Sequence, residues 1–214
     1  MDHTRVKICG VTRLEDAELA VSLGAWAVGM VFYRTSKRCC SIADAERIAA
    51  ALRRRAEIAG VFVNAQLDEV TRIAERLGLT LIQLHGDEGP AFCAEVARRT
   101  GARTIRAMPI ATAGALQDLE RFHTDFHLLD GHAPGLRGGT GERFEWGLLS
   151  GRRSQIPSII SGGLDAANVA AAIAAASDPF AVDVASGVEA APGVKDERRL
   201  RAFFAAVRPE VSAA

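Results

Sequence analysis

The feature that most constrains the fold is a regular alternation of short apolar runs with stretches of helical periodicity. Eight runs of about four to eight residues are rich in Val, Ile, Leu and Phe, the composition of buried β-strands. The runs begin at Arg5, Ala27, Glu57, Leu79, Arg103, Asp125, Pro157 and Phe180. Their ends are roughly 21–31 residues apart, which is the length of a compact βα unit.

Eight helical stretches fill the spaces between and after these runs. They begin at Leu14, Ile42, Leu67, Pro90, Ala113, Phe144, Asp165 and Glu197. Ser41 and Asp165 are placed to cap helix N-termini, and Gly24, Gly78 and Gly101 stand where helices end. The alternation predicts an α/β fold, a single (β/α)8 TIM barrel. The alternative is an open doubly wound sheet, which is disfavoured because no GxGxxG follows the first run.

Length and composition fit one domain and exclude several classes of partner. A chain of 214 residues with 49% hydrophobic residues can bury about 70% of its surface, so we expect one barrel domain over residues 1–214. The 26 basic and 26 acidic residues give no net charge, which argues against nucleic acid and acidic membranes as partners. No apolar run reaches about 18 residues and no signal segment begins the chain, so we expect a cytoplasmic protein with no membrane partner.

The four cysteines do not form a disulfide or metal pattern. Cys39 and Cys40 are adjacent and no CxxC pair occurs, so reduced thiols are expected. His127, Asp130 and His132 match no strong ligand spacing. The sequence therefore predicts no metal site, and it leaves the choice between monomer and homodimer open.

Two residues at predicted strand ends are candidates for proton transfer, because chemistry in such barrels belongs to the C-terminal ends of the strands. Cys9 ends the first run, and the period of two places Lys7 on the same side, where an ammonium favours a thiolate. Asp130 ends the sixth run after two leucines. An acid and a base on opposite sides of a pocket are what an isomerase requires. The alternatives are a small core residue for Cys9 and a turn-capping carboxylate for Asp130.

Glycines cluster after the last three strand runs, where backbone N–H groups can approach an anion closely. The candidates for binding a phosphate are Gly139, Gly141, Gly162, Gly163, Ser186 and Gly187. Loops after strands seven and eight form the common phosphate site of this barrel class. The substrate is therefore expected to carry a phosphate.

Basic side chains near other strand ends complete the predicted substrate site. Arg38 follows the second run, where its planar fork could bind a carboxylate. His85 closes the fourth run. We predict that Lys7, Arg38 and His85 contact substrate. The alternatives are a solvated charge for Arg38 and a hydrogen-bonded loop histidine for His85.

Six motifs in order give the chain a specific resemblance. They are KICGVTRLEDA, QLHGDE, LLD, GGTGERFEW, SGGLDAANV and VDVASGVEAAPGVKD, and they run from Val6 to the last helix. The chain resembles the phosphoribosylanthranilate isomerases of tryptophan biosynthesis. The resemblance implies a cofactor-independent Amadori rearrangement of N-(5′-phosphoribosyl)anthranilate to the corresponding aminodeoxyribulose phosphate.

The resemblance also implies roles for particular residues. Cys9 in KICG corresponds to the family's general base and Asp130 in LLD to its general acid. Arg38 corresponds to an arginine near the anthranilate carboxylate, although Lys37 stands where the family often has proline. The glycine loops correspond to the phosphate grip.

Two rival functions remain for comparison. A related phosphate-binding barrel of histidine or tryptophan synthesis typically uses a pair of aspartates or a late catalytic lysine, whereas the first run here ends in Cys9. A sugar-phosphate binding module without chemistry would have no need of both Cys9 and Asp130.

Overall fold

Eight parallel β-strands pair in chain order and close into a barrel in the computed structural model, which describes residues 4–131 and 152–208. The strands are β1 (Arg5–Cys9), β2 (Ala27–Val31), β3 (Glu57–Phe62), β4 (Leu81–Leu84), β5 (Arg103–Pro109), β6 (Phe126–Asp130), β7 (Ser158–Ser161) and β8 (Ala181–Val184). Closure is made by β1 and β8, which pair from Arg5 beside Ala181 to Ile8 beside Val184. The predicted (β/α)8 barrel is confirmed.

Seven α-helices connect the strands in the described part of the chain. They are α1 (Leu14–Ser22), α2 (Ile42–Leu52), α3 (Leu67–Leu77), α4 (Pro90–Thr100), α5 (Ala113–Leu119), α6 (Val169–Ala175) and α7 (Glu197–Val207). Ser41 caps α2 by accepting a hydrogen bond from the Asp44 N–H, and Gly78 and Gly101 end α3 and α4 in the left-handed conformation, as predicted. The helix predicted at Phe144 lies outside the described residues.

One predicted cap is wrong. Asp165 was expected to begin a helix, but its carboxylate accepts hydrogen bonds from the N–H groups of Ala167 and Asn168 in a turn before α6. The N-cap of α6 is Asn168, three residues later than the predicted cap. An aspartate that satisfies two nearby N–H groups stabilises a turn as readily as a helix end.

The pairing register decides which side chains enter the barrel. Lys7 lies beside Ala27 on one side and Asp183 on the other, and Cys9 lies beside Gly29. Because side chains alternate along a strand, the residues in one register layer point to the same side. Apolar residues, both small and large, fill much of the interior, and the apolar residues of the alternate positions pack against the helices. Lys7 and Asp183 are thus charges placed in an apolar interior.

An aromatic cluster fills the N-terminal end of the barrel. The ring centroids of Trp26 and Phe180 are 5.0 Å apart, and those of Phe126 and Phe180 are 4.8 Å apart. The guanidinium of Arg5 lies 4.5 Å from the Phe180 centroid. Burial of these rings contributes strongly to the stability of the fold. Because they fill the N-terminal end of the barrel, the C-terminal end is left for a site.

The segment after β8 contains structure that the sequence pattern did not predict. A short 3-10 helix (Ser186–Val188) leads into a two-stranded antiparallel hairpin of β9 (Glu189–Ala191) and β10 (Val194–Lys195). Gly193 turns the hairpin with a φ of 81°, a conformation that glycine adopts without strain. The hairpin brings two charged residues, Glu189 and Lys195, to the C-terminal end of the barrel.

The helices in the described ranges give no candidate for a membrane span, because none is both long and apolar enough.

Candidate active site

A cavity of about 420 Å³ opens at the C-terminal end of the barrel. Seven of the predicted site residues line it: Cys9, Arg38, His85, Asp130, Gly162, Gly163 and Ser186. Lys7 and Gly187 are not among its lining residues. The predicted Gly139 and Gly141, and His132 of the rejected metal pattern, lie outside the described residues.

A larger cavity, about 550 Å³, lies toward the opposite end of the barrel and is lined in part by Arg5 and Asp178. It contains none of the predicted site residues. Barrel chemistry uses the C-terminal ends of the strands, so the smaller cavity is the candidate site. In the described ranges, no group of three or more His, Cys, Asp or Glu side chains is arranged to hold a metal ion.

Cys9 presents its thiol at the end of β1 in a largely dry environment. The residue is 8% exposed. Burial raises the pKa of the Cys9 thiol, and the nearby Asp183 carboxylate raises it further, whereas Lys7 and Lys195 act in the opposite direction. The two ammonium groups therefore favour the thiolate without overcoming its desolvation. A thiol base with a lowered pKa, which the chemistry suggested, is not what this environment produces.

Lys7 lies behind Cys9 rather than in the cavity. Its side chain is completely buried, and its Nζ donates a 2.8 Å hydrogen bond to Asp183 Oδ1. A Cβ placed on Gly29 would lie 3.1 Å from Cys9 Sγ and 3.2 Å from Lys7 Nζ, so thiol and ammonium share the space that this glycine leaves. Burial lowers the pKa of Lys7, but Asp183 and Cys9 together raise it above its ordinary value. The Asp183 pair thus holds the Lys7 ammonium inside the barrel, and the contact of Lys7 with substrate stays a prediction.

Asp130 is the last residue of β6 and is held in place by His85. The His85 Nε2 lies 3.2 Å from Asp130 Oδ2, and Gln83 Nε2 lies 3.0 Å from His85 Nδ1. If the Gln83 amide donates to Nδ1, the imidazole carries its proton on Nε2 and donates it to Asp130. Gly162 contributes space on the other side, since a Cβ there would lie 2.8 Å from Asp130 Oδ1. The carboxyl group therefore faces the cavity in a fixed orientation.

Arg38 reaches the cavity from the loop after β2. Ser36 shapes this loop without the proline of related chains, because its hydroxyl accepts a 3.1 Å hydrogen bond from the Arg38 N–H. The arginine stem crosses Gly10, where a Cβ would lie 2.6 Å from Arg38 Cδ, and the φ of Gly10 is 70°. Hydrogen bonds to Glu189 raise the pKa of Arg38, so the guanidinium is a permanent cation at the cavity wall.

The loops after β7 and β8 bring glycine backbone close together. Gly162 and Gly163 have φ values of 98° and 62°, conformations that favour glycine. A Cβ on Gly187 would overlap the carbonyl oxygen of Leu164, so this glycine lets the two loops touch. Gly187 therefore lies behind the candidate phosphate site and allows its two loops to pack together, while Gly163 and Ser186 line the cavity.

An apolar wall lies between the strand ends that carry Arg38 and His85. It consists of Val31, Tyr33, Val61 and Val63. Tyr33 is 41% exposed and is the exposed large hydrophobic residue of the described chain. An exposed aromatic ring on a cavity wall indicates ligand binding more strongly than one on an open surface, because a planar ligand can stack on its face.

The chain is similar to known proteins over nearly its whole length. The family model described as N-(5′-phosphoribosyl)anthranilate (PRA) isomerase matches residues 6–206. The chain belongs to the PRA isomerase family. N-(5′-phosphoribosyl)anthranilate isomerase of Citrifermentans bemidjiense is 45% identical over 202 residues, covering 94% of this chain and 96% of the relative. That of Azotobacter vinelandii is 45% identical over 208 residues, covering 97% and 99%.

Solved structures of PRA isomerases have the same fold. The crystal structure of the Thermotoga maritima enzyme superimposes with a TM-score of 0.84 at 40% identity, covering 95% of this chain and 98% of that chain. Another PRA isomerase structure, in complex with reduced 1-(o-carboxyphenylamino)-1-deoxyribulose 5-phosphate, gives a TM-score of 0.80 at 38% identity with the same coverage. Membership of the family rests on these matches together with the sequence motifs.

Four residues around this PRA isomerase site were missed by sequence reasoning. They are Gln83, Asp183, Glu189 and Lys195. Gln83 and Asp183 stand inside otherwise apolar strands, LIQL and AVDV, and a polar residue in such a run is a usable signal. Glu189 and Lys195 flank a Pro-Gly turn, where charges ordinarily face water, so the sequence offers no comparable signal for them.

Proposed function

We propose that this chain catalyses the Amadori rearrangement of N-(5′-phosphoribosyl)anthranilate to 1-(2-carboxyphenylamino)-1-deoxyribulose 5-phosphate in tryptophan biosynthesis. Cys9 is the general base and Asp130 the general acid. The observation that carries this proposal is that a buried thiol on β1 and a histidine-bonded carboxyl group on β6 line the same cavity. Two titratable groups that face one substrate from different strands are what two proton transfers require.

The reaction begins with Asp130. In its protonated form it gives its proton to the furanose ring oxygen, the C1′–O bond breaks, and the nitrogen lone pair forms a Schiff base. His85 Nε2, 3.2 Å from Asp130 Oδ2, keeps the carboxyl group aimed at the cavity while the proton leaves. A fixed acid avoids the reorganisation that a mobile side chain needs in the transition state.

Cys9 carries the second transfer. Its thiolate takes the proton from C2′, the electron pair moves toward the iminium nitrogen, and the resulting enolamine tautomerises to the ketone. Lys7 and Lys195 favour this thiolate electrostatically. Because burial raises the Cys9 pKa, we expect the rate to increase with pH as the thiolate fraction grows.

The two ends of the substrate are bound by different groups. Arg38 meets the carboxylate of the aromatic ring, and the ring itself lies against Tyr33 and the valines of the apolar wall. The loops of Gly162, Gly163 and Ser186 take the phosphate through backbone N–H groups. Lys7 and Gly187 support these contacts from behind.

The domain organisation, location, partner and oligomeric state stay as the sequence predicts them. We expect one barrel domain over residues 1–214, a cytoplasmic location, and a small phosphorylated substrate as the partner. Monomer and homodimer both remain open, since structural work on the Thermotoga maritima relative describes a dimeric isomerase and monomers generated from it.

The test follows the fluorescence of freshly generated phosphoribosylanthranilate during turnover. We expect Cys9→Ala and Asp130→Ala each to lower kcat by about a hundredfold or more, because a general acid or base contributes ~10²–10⁴-fold. Cys39→Ala and Asp118→Ala are matched controls, since both residues are exposed and neither lines the cavity. A folded Cys9→Ala or Asp130→Ala variant with near-normal turnover would remove that residue from the mechanism. A folded wild type without turnover would reject the activity itself.

A further inference from the structure

The guanidinium of Arg38 is already engaged by a carboxylate of the same chain. Arg38 Nε lies 2.8 Å from Glu189 Oε1 and 3.0 Å from Oε2, and Nη2 lies 2.7 Å from Oε2. These bonds use the side edge of the guanidinium, formed by Nε and one hydrogen of Nη2. Arginine has five N–H donors in a planar fork, so three remain, and two of them, one on Nη1 and one on Nη2, form the end edge. Arg38 lines the cavity, and its side chain is 29% exposed.

Glu189 itself is fixed on several sides. Its carboxylate accepts a 2.9 Å hydrogen bond from Lys195 Nζ and a 3.3 Å bond from the Gly193 N–H, and its side chain is 4% exposed. Lys195 Nζ also donates to the carbonyl oxygens of Cys9, at 2.6 Å, and Ala185, at 3.2 Å. The carboxylate is therefore tied to the ends of both β1 and β8. Such a group can hold an arginine at a defined place relative to the barrel.

We propose that Glu189 is a positioning residue that aims the end edge of Arg38 at the carboxylate on the aromatic ring of the substrate. This inference rests on the proposed function, because it assumes that Arg38 meets that carboxylate. The fork of Arg38 would then bridge two carboxylates, Glu189 on its side edge and the substrate on its end edge.

The charges around Glu189 explain why a buried carboxylate is placed here. Arg38 and Lys195 are both cations, and Glu189 lies between them and pairs with each. Without it, the two cations would repel and the exposed part of Arg38 would turn toward water. An arginine side chain has considerable rotamer freedom, and a pre-oriented fork loses less of it on binding. The expected benefit is tighter binding of the carboxylate end, with little effect on the phosphate end.

The experiment compares two ligands that differ in one group. One is reduced 1-(o-carboxyphenylamino)-1-deoxyribulose 5-phosphate, and the other is its analogue without the ring carboxyl group, prepared from aniline. Dissociation constants are measured by calorimetry on wild type, Glu189→Gln, Arg38→Met and the double variant. Glu197→Gln is the charge-matched control, because Glu197 pairs with Arg201 on the exposed face of α7.

We expect Glu189→Gln to weaken binding of the carboxylated ligand about tenfold and binding of the carboxyl-free ligand less than twofold. In the Arg38→Met background the same change should have no further effect, because residues that act through one contact are not additive. KM should rise with kcat changed far less. Glu189→Asp, which keeps the charge, should recover part of the affinity.

Three results would overturn the inference. Equally weakened binding of both ligands by Glu189→Gln would show that Glu189 has only a structural role. An undiminished effect of Glu189→Gln in the Arg38→Met background would show that it does not act through Arg38. Wild-type binding by Glu189→Gln would show that Arg38 needs no positioning. The binding cycle does not depend on turnover, so a wild type that binds both ligands without isomerising them would reject the proposed activity and still decide the role of Glu189.

Discussion

Replacing Lys7 with methionine tests whether its buried charge, rather than its bulk, organises the interior of the barrel. Lys7 and Asp183 are 0% and 6% exposed and 2.8 Å apart, so Lys7→Met leaves a carboxylate buried without its partner. Breaking such a pair typically costs about 3–5 kcal/mol. The unfolding entropy of a chain of 214 residues is on the order of 0.45 kcal/mol per degree, so Tm should fall by roughly 7–11 °C.

Two assays measure the effects of Lys7→Met. Calorimetry gives Tm for wild type, Lys7→Met and the double variant Lys7→Met/Asp183→Asn, in which no unpaired charge remains. The double variant should recover most of the lost stability, because neutral groups of similar shape replace the pair. The pH profile of kcat/KM for Lys7→Met should shift to the alkaline side, since the loss of the ammonium raises the pKa of Cys9 further. A Tm within about 2 °C of wild type, or a double variant as unstable as the single one, would refute this reasoning.

Two further predictions concern a buried thiol and a glycine. Burial raises the pKa of Cys40 from 9.0 to about 12, so the folded chain keeps a proton that the unfolded chain releases. The free energy of unfolding should therefore fall as the pH rises between these values. Urea titrations at several pH values should show a smaller fall for Cys40→Ala than for wild type. The same dependence of unfolding free energy on pH in both proteins would contradict this. Gly10→Ala places a Cβ 2.6 Å from Arg38 Cδ at a φ of 70°, so KM should rise severalfold and stability should fall by about 1–2 kcal/mol. Gly101→Ala has a similar φ of 65° but meets no atom within 4 Å, so it should lose stability without the rise in KM; the same KM in both variants would exclude displacement of Arg38.

Local sequence patterns were enough to predict the barrel and to place the candidate site at the C-terminal ends of its strands. All eight strands lie within the runs read from apolar periodicity, because strands buried on both faces leave a continuous apolar signal. The period of two correctly placed Lys7 and Cys9 on the same side of β1, where both approach Gly29. Strand ends also correctly brought Cys9, His85 and Asp130 to one cavity.

Charge pairing across the barrel was beyond these patterns. Glu189 and Lys195 lie in strands of three and two residues, which are too short to show periodicity. Their burial depends on contacts with Arg38 and with the Cys9 carbonyl, which are 151 and 186 residues away along the chain. For the same reason the ion pair of Lys7 was not predicted, because its partner Asp183 lies 176 residues away. Electrostatic surroundings of this kind exist only after the tertiary structure forms.

Closure of the barrel between its first and last strands has a consequence for the newly made polypeptide. Cys9 leaves the ribosome first, but the cations and carboxylates that surround it include Asp183, Glu189 and Lys195, near the end of the chain. At ~5–20 residues per second, synthesis of the intervening 186 residues takes roughly 10–40 s. During this time Cys9 lacks these charged neighbours. The charged surroundings of Cys9 are completed only in the final step of assembly, so a chain released before β8 is complete would carry the proposed general base without Asp183, Glu189 and Lys195.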